Sequence, residues 1–186
     1  HNDARTTALD WIAANEARLS EFNARIWSHA EPAWREYRSA RDYVELLRAE
    51  GFEVEAGSGD MPTAFVARWG TGKPVLAGFS EYDAVPGNSQ QVVPYRAPRE
   101  GLHPYAAGHT DPHSVLGTAS LAAMLGARAA MQKHSIAGTL KLFGEPAEKV
   151  CGSKPIHAAK GYYDDLDAAV VWHPWGSNTV TGETHF

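Results

Sequence analysis

The sequence of 186 residues contains a single cysteine, Cys151, which excludes an internal disulfide framework and suits a reducing compartment. It also lacks an excess of positive charge, because it contains 17 lysine and arginine residues and 22 aspartate and glutamate residues. This balance argues against a nucleic-acid or anionic-membrane partner. No apolar run approaches the ~20 residues that span a bilayer, and the polar start lacks the apolar core of a signal peptide. We therefore expect a cytoplasmic protein.

Hydrophobic periodicity predicts an α/β fold. Apolar residues recur at helical spacing in two N-terminal segments and in an alanine- and leucine-rich run, so helices are predicted over 3–28, 39–50, 114–133 and, more briefly, 155–160. Strands are predicted at 52–55, 64–69, 75–79, 139–143, 168–172 and 178–184. Residues 86–108 form a long loop with four prolines and no period. Because strands alternate with helices, we expect a largely parallel sheet.

Polar clusters follow several of these strands. Glu81 and Asp83 come after the strand at 75–79, Glu145 and Glu148 come after the strand at 139–143, and His173 comes after the strand at 168–172. Ligands of such sheets bind at the carboxyl ends of the strands. Composition does not require this placement, so it favours a functional site there.

The run His109-Thr110-Asp111-Pro112-His113 places three potential metal ligands within five residues. Imidazole nitrogen and carboxylate oxygen suit Zn²⁺, Mn²⁺ or Fe²⁺. Asp111 and His113, two residues apart, can point the same way in an extended segment. The alternative is a plain helix entry, with an aspartate or serine side chain that caps the following helix.

Four further residues have two interpretations each. Glu145 and Glu148 can each accept a proton from a water molecule beside a metal, or each can be a surface residue in a turn. His173 can be a ligand or a hydrogen-bonded core histidine. Asp83 can orient a ligand histidine or end an ordinary strand. Pro146 restricts the backbone before Glu148, which favours a shaped loop.

Together these clusters resemble the M20 family of metal-dependent peptidases and amidohydrolases, in particular its amidohydrolase branch. That branch includes aminobenzoyl-glutamate, hippurate and acyl-amino-acid hydrolases. Seven segments carry the resemblance in order: 28–40 (SHAEPAWREYRSA), 50–54, 70–74, 81–87 (EYDAVPG), 109–119 (HTDPHSVLGTA), 145–149 (EPAEK) and 172–174 (WHP). The resemblance implies a three-layer sandwich with a mixed sheet, and hydrolysis of a C–N bond in a small acyl- or aroyl-amino acid.

The resemblance also implies roles for individual residues. Asp111, His113 and His173 would bind a divalent metal, Glu148 would be the general base, and Asp83 would support the site. Asp111 stands where the branch usually has a cysteine. Because oxygen replaces sulfur there, we expect a harder metal, Mn²⁺ first, with Zn²⁺ as the alternative.

Two features depart from the family pattern. Lys149 stands where a second glutamate normally holds metal, so we expect one metal ion, with Lys149 and His109 on the substrate side. The chain also ends at Phe186, about where a smaller lid domain would begin. Residues 1–186 then form the N-terminal part of the catalytic domain. The lid domain and the remaining catalytic segment, which carries the last metal ligand, would then lie outside this chain. A homodimer would form through that lid. Because residue 1 is not methionine, we also expect N-terminal trimming.

Two rival functions stay open. The cation at Lys149 and the aromatic residues Tyr162, Tyr163, Trp172 and Trp175 favour an anionic aromatic substrate. Hydrolytic deamination of an aromatic amine such as a nitroanthranilate is therefore the first alternative. The second is a degenerate relative that binds a ligand without catalysis, since a metal-holding glutamate is replaced.

Overall fold

The computed structural model describes residues 2–110, 112–150 and 152–173. The helices are α1 Asn2–Ala14, α2 Glu16–His29, α3 Tyr37–Ala49, α4 His113–His134 and α5 Lys154–Ala159. The strands are β1 Glu53–Ala56, β2 Phe65–Thr71, β3 Val75–Glu81, β4 Gly138–Glu145 and β5 Ala168–Val170. Short 3₁₀ turns occupy Ser58–Asp60 and Glu148–Val150. The predicted strand at 178–184 lies outside the described residues.

The strands form one mixed sheet in the order β1-β2-β4-β3-β5. β3 runs parallel to both of its neighbours, β4 and β5, whereas β1 pairs antiparallel with β2, and β2 pairs antiparallel with β4. The predicted α/β class and mixed sheet are confirmed, with the parallel pairs around β3. The carboxyl ends of β3 and β4 therefore meet at one edge, where Glu81 and Glu145 are register partners.

Both faces of the sheet are covered. On one face α2, α3 and α4 enclose the main core, whose buried members include Ile26, Tyr43, Leu121, Leu125 and Leu142. On the other face Phe143 packs against Tyr163 and against His157 of α5. This gives the helix–sheet–helix layering that the resemblance implied.

α4 lies close against the end of β3. A Cβ atom at Gly117 would stand 2.5 Å from the carbonyl oxygen of Glu81, so only glycine permits this approach.

By length and composition α4 could also cross a membrane, which corrects the expectation that no segment approaches that length. However, 61% of its most apolar window is buried within the fold, and a core helix meets the same criterion.

The helix predicted over 3–28 is two helices. Asn15 interrupts it, because its side-chain amide donates a hydrogen bond of 2.8 Å to the carbonyl oxygen of Trp11. A short polar side chain that bonds to nearby backbone competes with helix continuation in this way.

The predicted long loop at 86–108 contains neither helix nor strand, and its ends meet through a bridge between Val85 and Gly108.

Candidate metal centre

The centre is built where three elements end or begin. β3 delivers Glu81 at its last position and Asp83 two residues later, and α4 begins at His113. The 3₁₀ turn after β4 begins at Glu148. Because β3 and β4 are parallel neighbours, these side chains converge at the carboxyl edge of the sheet.

His113 is held by Asp83. The two residues are fully buried, and His113 Nδ1 lies 2.7 Å from Asp83 Oδ1. A carboxylate only accepts hydrogen bonds, so Nδ1 carries the proton and donates it. The other carboxylate oxygen, Asp83 Oδ2, accepts a 3.0 Å hydrogen bond from the backbone N–H of Lys149. Asp83 therefore fixes the imidazole ring and also the turn that carries Glu148.

Nε2 of His113 faces two carboxylates. Glu81 Oε2 is 3.2 Å from it and Glu148 Oε2 is 3.3 Å from it. One ligand atom from each of the three residues lies within 4.8 Å of the others. Nε2 is buried and has no hydrogen-bond partner among the described residues. An unpartnered imidazole nitrogen beside two carboxylate oxygens is the donor set that Mn²⁺ and Zn²⁺ accept, so these residues fit a divalent cation.

The electrostatics favour positive charge at this point. Burial lowers the pKa of His113, but the hydrogen bond to Asp83 and the charges of Asp83 and Glu81 outweigh burial and raise it. Burial raises the pKa of Asp83, but the hydrogen bonds from His113 and the Lys149 amide outweigh it, so this pKa is lowered. A proton and a metal ion would therefore compete for Nε2.

Two ammonium groups flank the carboxylates. Lys149 Nζ lies 3.2 Å from Glu148 Oε2. Lys154, the first residue of α5, forms an ion pair with Glu81 through Oε1. The sequence-based reasoning named Lys149 but missed Lys154 and missed Glu81 as a potential ligand. Glu81 shares a strand end with Asp83, which was a usable signal, whereas Lys154 reaches the site only because of how the chain turns after β4.

Other predicted site residues are placed differently. Asp111 lies outside the described residues, so its predicted metal role is untested. His173 is exposed just after β5 and does not belong to the Glu81–His113–Glu148 group. His109 is only 7% exposed, and burial, with a smaller contribution from the charge of His113, lowers its pKa to about 4. The roles predicted for His173 and His109 stay predictions.

Comparison with known proteins fits this architecture. The family model described as peptidase family M20/M25/M40 matches residues 79–185, more than half of the chain. The chain belongs to this family, as the sequence resemblance predicted. It is 36% identical over 165 residues to a subunit of the p-aminobenzoyl-glutamate hydrolase of Escherichia coli, and the match covers 89% of this chain and 34% of that protein.

A further relative and one solved structure are also similar to this chain, the structure in its fold. The Xaa-Arg dipeptidase of Mus musculus is 28% identical over 186 residues, covering 93% of this chain and 38% of that protein. The crystal structure of the YXEP protein of Bacillus subtilis, a dinuclear metal-binding peptidase of the M20 family, superposes with a TM-score of 0.67 at 19% identity, covering 84% of this chain and 42% of that one. The chain thus spans little more than a third of the length of the curated relatives it matches.

Proposed function

We propose that the protein hydrolyses the C–N bond of an acyl- or aroyl-amino acid at a centre that holds a divalent cation, Mn²⁺ first and Zn²⁺ as the alternative. The observation that carries the proposal is the orientation of His113: Asp83 holds Nδ1, while Nε2 faces Glu81 and Glu148. The names of the E. coli and mouse relatives support amide or peptide substrates.

Each residue of the centre has a distinct task in this proposal. His113 and Glu81 would hold the cation, with Asp111 and His173 as predicted further ligands. When bound, the cation would polarise a water molecule and the scissile carbonyl group. Glu148 would take the proton from the attacking water and return it to the leaving nitrogen. Its side chain is 39% exposed and lines a pocket of about 360 Å³, so it can meet a substrate.

The rest of the catalytic unit is also part of the proposal. We propose that residues 1–186 form the N-terminal part of a catalytic domain, and that a following segment supplies the lid, the last metal ligand and a homodimer contact. The fraction of the relatives' length that aligns, about a third, supports this proposal. The cytoplasmic location stays a prediction from the sequence.

Deamination of an aromatic amine is the weaker alternative. Two of the aromatic residues that favoured it have structural roles, because the Tyr162 hydroxyl donates to Glu55 and the Tyr163 hydroxyl donates to Glu145. Trp172 lines a groove with Gly78 and Met124 rather than the pocket at Glu148. The cation at Lys149 still favours an anionic substrate for either reaction.

Replacing Glu148 with glutamine tests the proposal. We expect the full-length Glu148→Gln protein to keep its metal content and to lose turnover by roughly 10²-fold or more, because the amide cannot accept the proton. Metal is measured by elemental analysis, and products are measured as free amino acid from acyl-amino acids and as ammonia from aromatic amines. Glu45→Gln, an exposed change on α3, is the matched control.

The same assay separates the rivals. Ammonia from aromatic amines without cleavage of acyl-amino acids would favour the deaminase. Wild-type protein with neither bound metal nor turnover would indicate the degenerate ligand-binding relative. Near-normal turnover in Glu148→Gln would remove Glu148 from the proton-transfer role.

A further inference from the structure

A second polar cluster is buried behind the metal centre. Glu145, His157 and Ser58 are fully buried, with His157 Nδ1 2.8 Å from Glu145 Oε1 and Ser58 Oγ 2.9 Å from His157 Nε2. The order serine–histidine–carboxylate is that of a hydrolytic triad. However, Ser58 has no exposed surface, so no substrate carbonyl can reach its hydroxyl in this fold.

The carboxylate of this cluster closes a turn of the chain. Glu145 Oε2 accepts a 2.5 Å hydrogen bond from Ser153 Oγ, eight residues further on. Beside it, the backbone N–H of Ser153 donates to the carbonyl oxygen of Pro146 at 3.3 Å. We call these two bonds the Glu145–Ser153 closure. The closure draws the two ends of the turn together, and Glu148 and Lys149 lie between them.

The turn is also held from inside. Ala147 has a positive φ of 58°, a conformation that costs a non-glycine residue energy, and its N–H donates to buried Glu36 at 2.8 Å. Ser153 precedes α5, which carries Lys154 towards Glu81 and His157 towards Glu145. The closure therefore positions both the turn that carries Glu148 and the start of α5, which carries Lys154.

We infer that Glu145 is a positioning residue that, through Ser153, holds Glu148 in place opposite His113. The inference rests on the proposed function, since it concerns how Glu148 meets the reacting water. It also separates the two glutamates of the 145–149 motif by role: Glu145 is buried and hydrogen-bonded through both oxygens, and Glu148 is partly exposed at the centre.

The test compares two serine-to-alanine changes within one hydrogen-bonded cluster. Ser153→Ala removes the side-chain bond of the closure, to Glu145, and leaves the backbone bond to Pro146. It removes no helix cap, because the Ser153 side chain caps nothing in α5. Ser58→Ala is the matched control, since it deletes an equally buried hydroxyl at the far end of the cluster, on His157. Both are made in the full-length protein, and thermal unfolding reports the shared structural cost.

We expect Ser153→Ala to lower kcat about 10- to 100-fold with little change in KM, because a small displacement of a reacting group is costly. Hydrogen exchange of the backbone amides of Glu148–Val150 should speed up about tenfold or more. Ser58→Ala should leave both quantities near wild type. Equal effects of the two variants on kcat and on exchange would overturn the inference.

A second variant guards against a folding failure. Glu145→Gln keeps the side-chain size but offers one accepting oxygen to the three donors Ser153, His157 and Tyr163. It should also accelerate exchange in the turn, and wild-type exchange rates there would overturn the inference. The exchange measurement needs no turnover, so a wild-type protein without metal or activity would refute the proposed function alone.

Discussion

Asp83 holds His113 through a 2.7 Å contact between two fully buried side chains, and its second oxygen holds the amide of Lys149. One carboxylate therefore orients the imidazole and anchors the turn that carries Glu148. Carboxylates in this position fix the ring tautomer and raise the basicity of the ligand nitrogen. The site consequently depends on a residue that need not touch metal or substrate.

The first prediction concerns this carboxylate. Asp83→Asn should lower the affinity for Mn²⁺ or Zn²⁺ by about 10- to 100-fold, since the amide loses the charge and one of the two accepting oxygens. Isothermal titration of the metal-free protein measures the affinity, and circular dichroism confirms the fold. An unchanged metal affinity in a folded Asp83→Asn protein would show that His113 does not bind the metal through this arrangement.

Periodicity predicted the core elements α2, α3, α4, β2, β3 and β4, because each carries buried apolar residues. The interruption at Asn15 could not be predicted from periodicity, since it depends on a local hydrogen bond from the Asn15 side chain to the backbone carbonyl of Trp11. The antiparallel pairing of β2 with β4 was also beyond prediction, because strand order depends on packing between distant segments.

Some residues of the candidate site could likewise be predicted from the sequence, and others could not. Asp83, His113 and Glu148 could be named from strand ends and motif spacing, and the structure brings them together. The proximity of Glu81 follows from the register of β3 with β4, and that of Lys154 from the path of the turn into α5. The different roles of Glu145 and Glu148 could not be predicted from the sequence, because both are glutamates of the same short motif. Only the fold shows that Glu145 is buried and that Glu148 is partly exposed.

The second prediction concerns metal stoichiometry. Wild-type protein should bind one divalent ion per chain, because the Lys149 ammonium lies beside Glu148 where a second cation would be repelled. Lys149→Glu should raise the number to two by exchanging a cation for a carboxylate ligand.

Elemental analysis and titration count the ions in both proteins. Lys149→Met is the control, since it removes the charge without adding a ligand, and it should stay at one ion. Two ions in the wild-type protein, as in the dinuclear B. subtilis peptidase, would contradict the prediction.

The third prediction concerns the acid stability of the segment that supports Asp83. Glu31 accepts hydrogen bonds from the amides and side chains of Arg38 and Ser39, and its own carbonyl accepts from the amide of Ala84. Burial raises the pKa of Glu31, but these hydrogen bonds outweigh it and lower the pKa below its ordinary value of 4.5. The unfolded chain therefore binds a proton at higher pH than the native protein does.

This sign fixes the pH window. The stabilisation by Glu31 should be complete above pH 4.5 and should be lost as the pH falls through the lowered native pKa. Glu31→Gln should cost about 1.5–3 kcal/mol of unfolding free energy at neutral pH, where a buried charged acceptor is lost. The difference from wild type should shrink on acidification.

Urea unfolding between neutral and acid pH measures both curves. Arg38→Gln is the matched control, because the Arg38 side chain is 54% exposed and the two backbone donors and Ser39 remain. Its cost should be about 0–1 kcal/mol. Wild-type and Glu31→Gln curves that run parallel down to acid pH would show that the Glu31 carboxylate does not carry this stability.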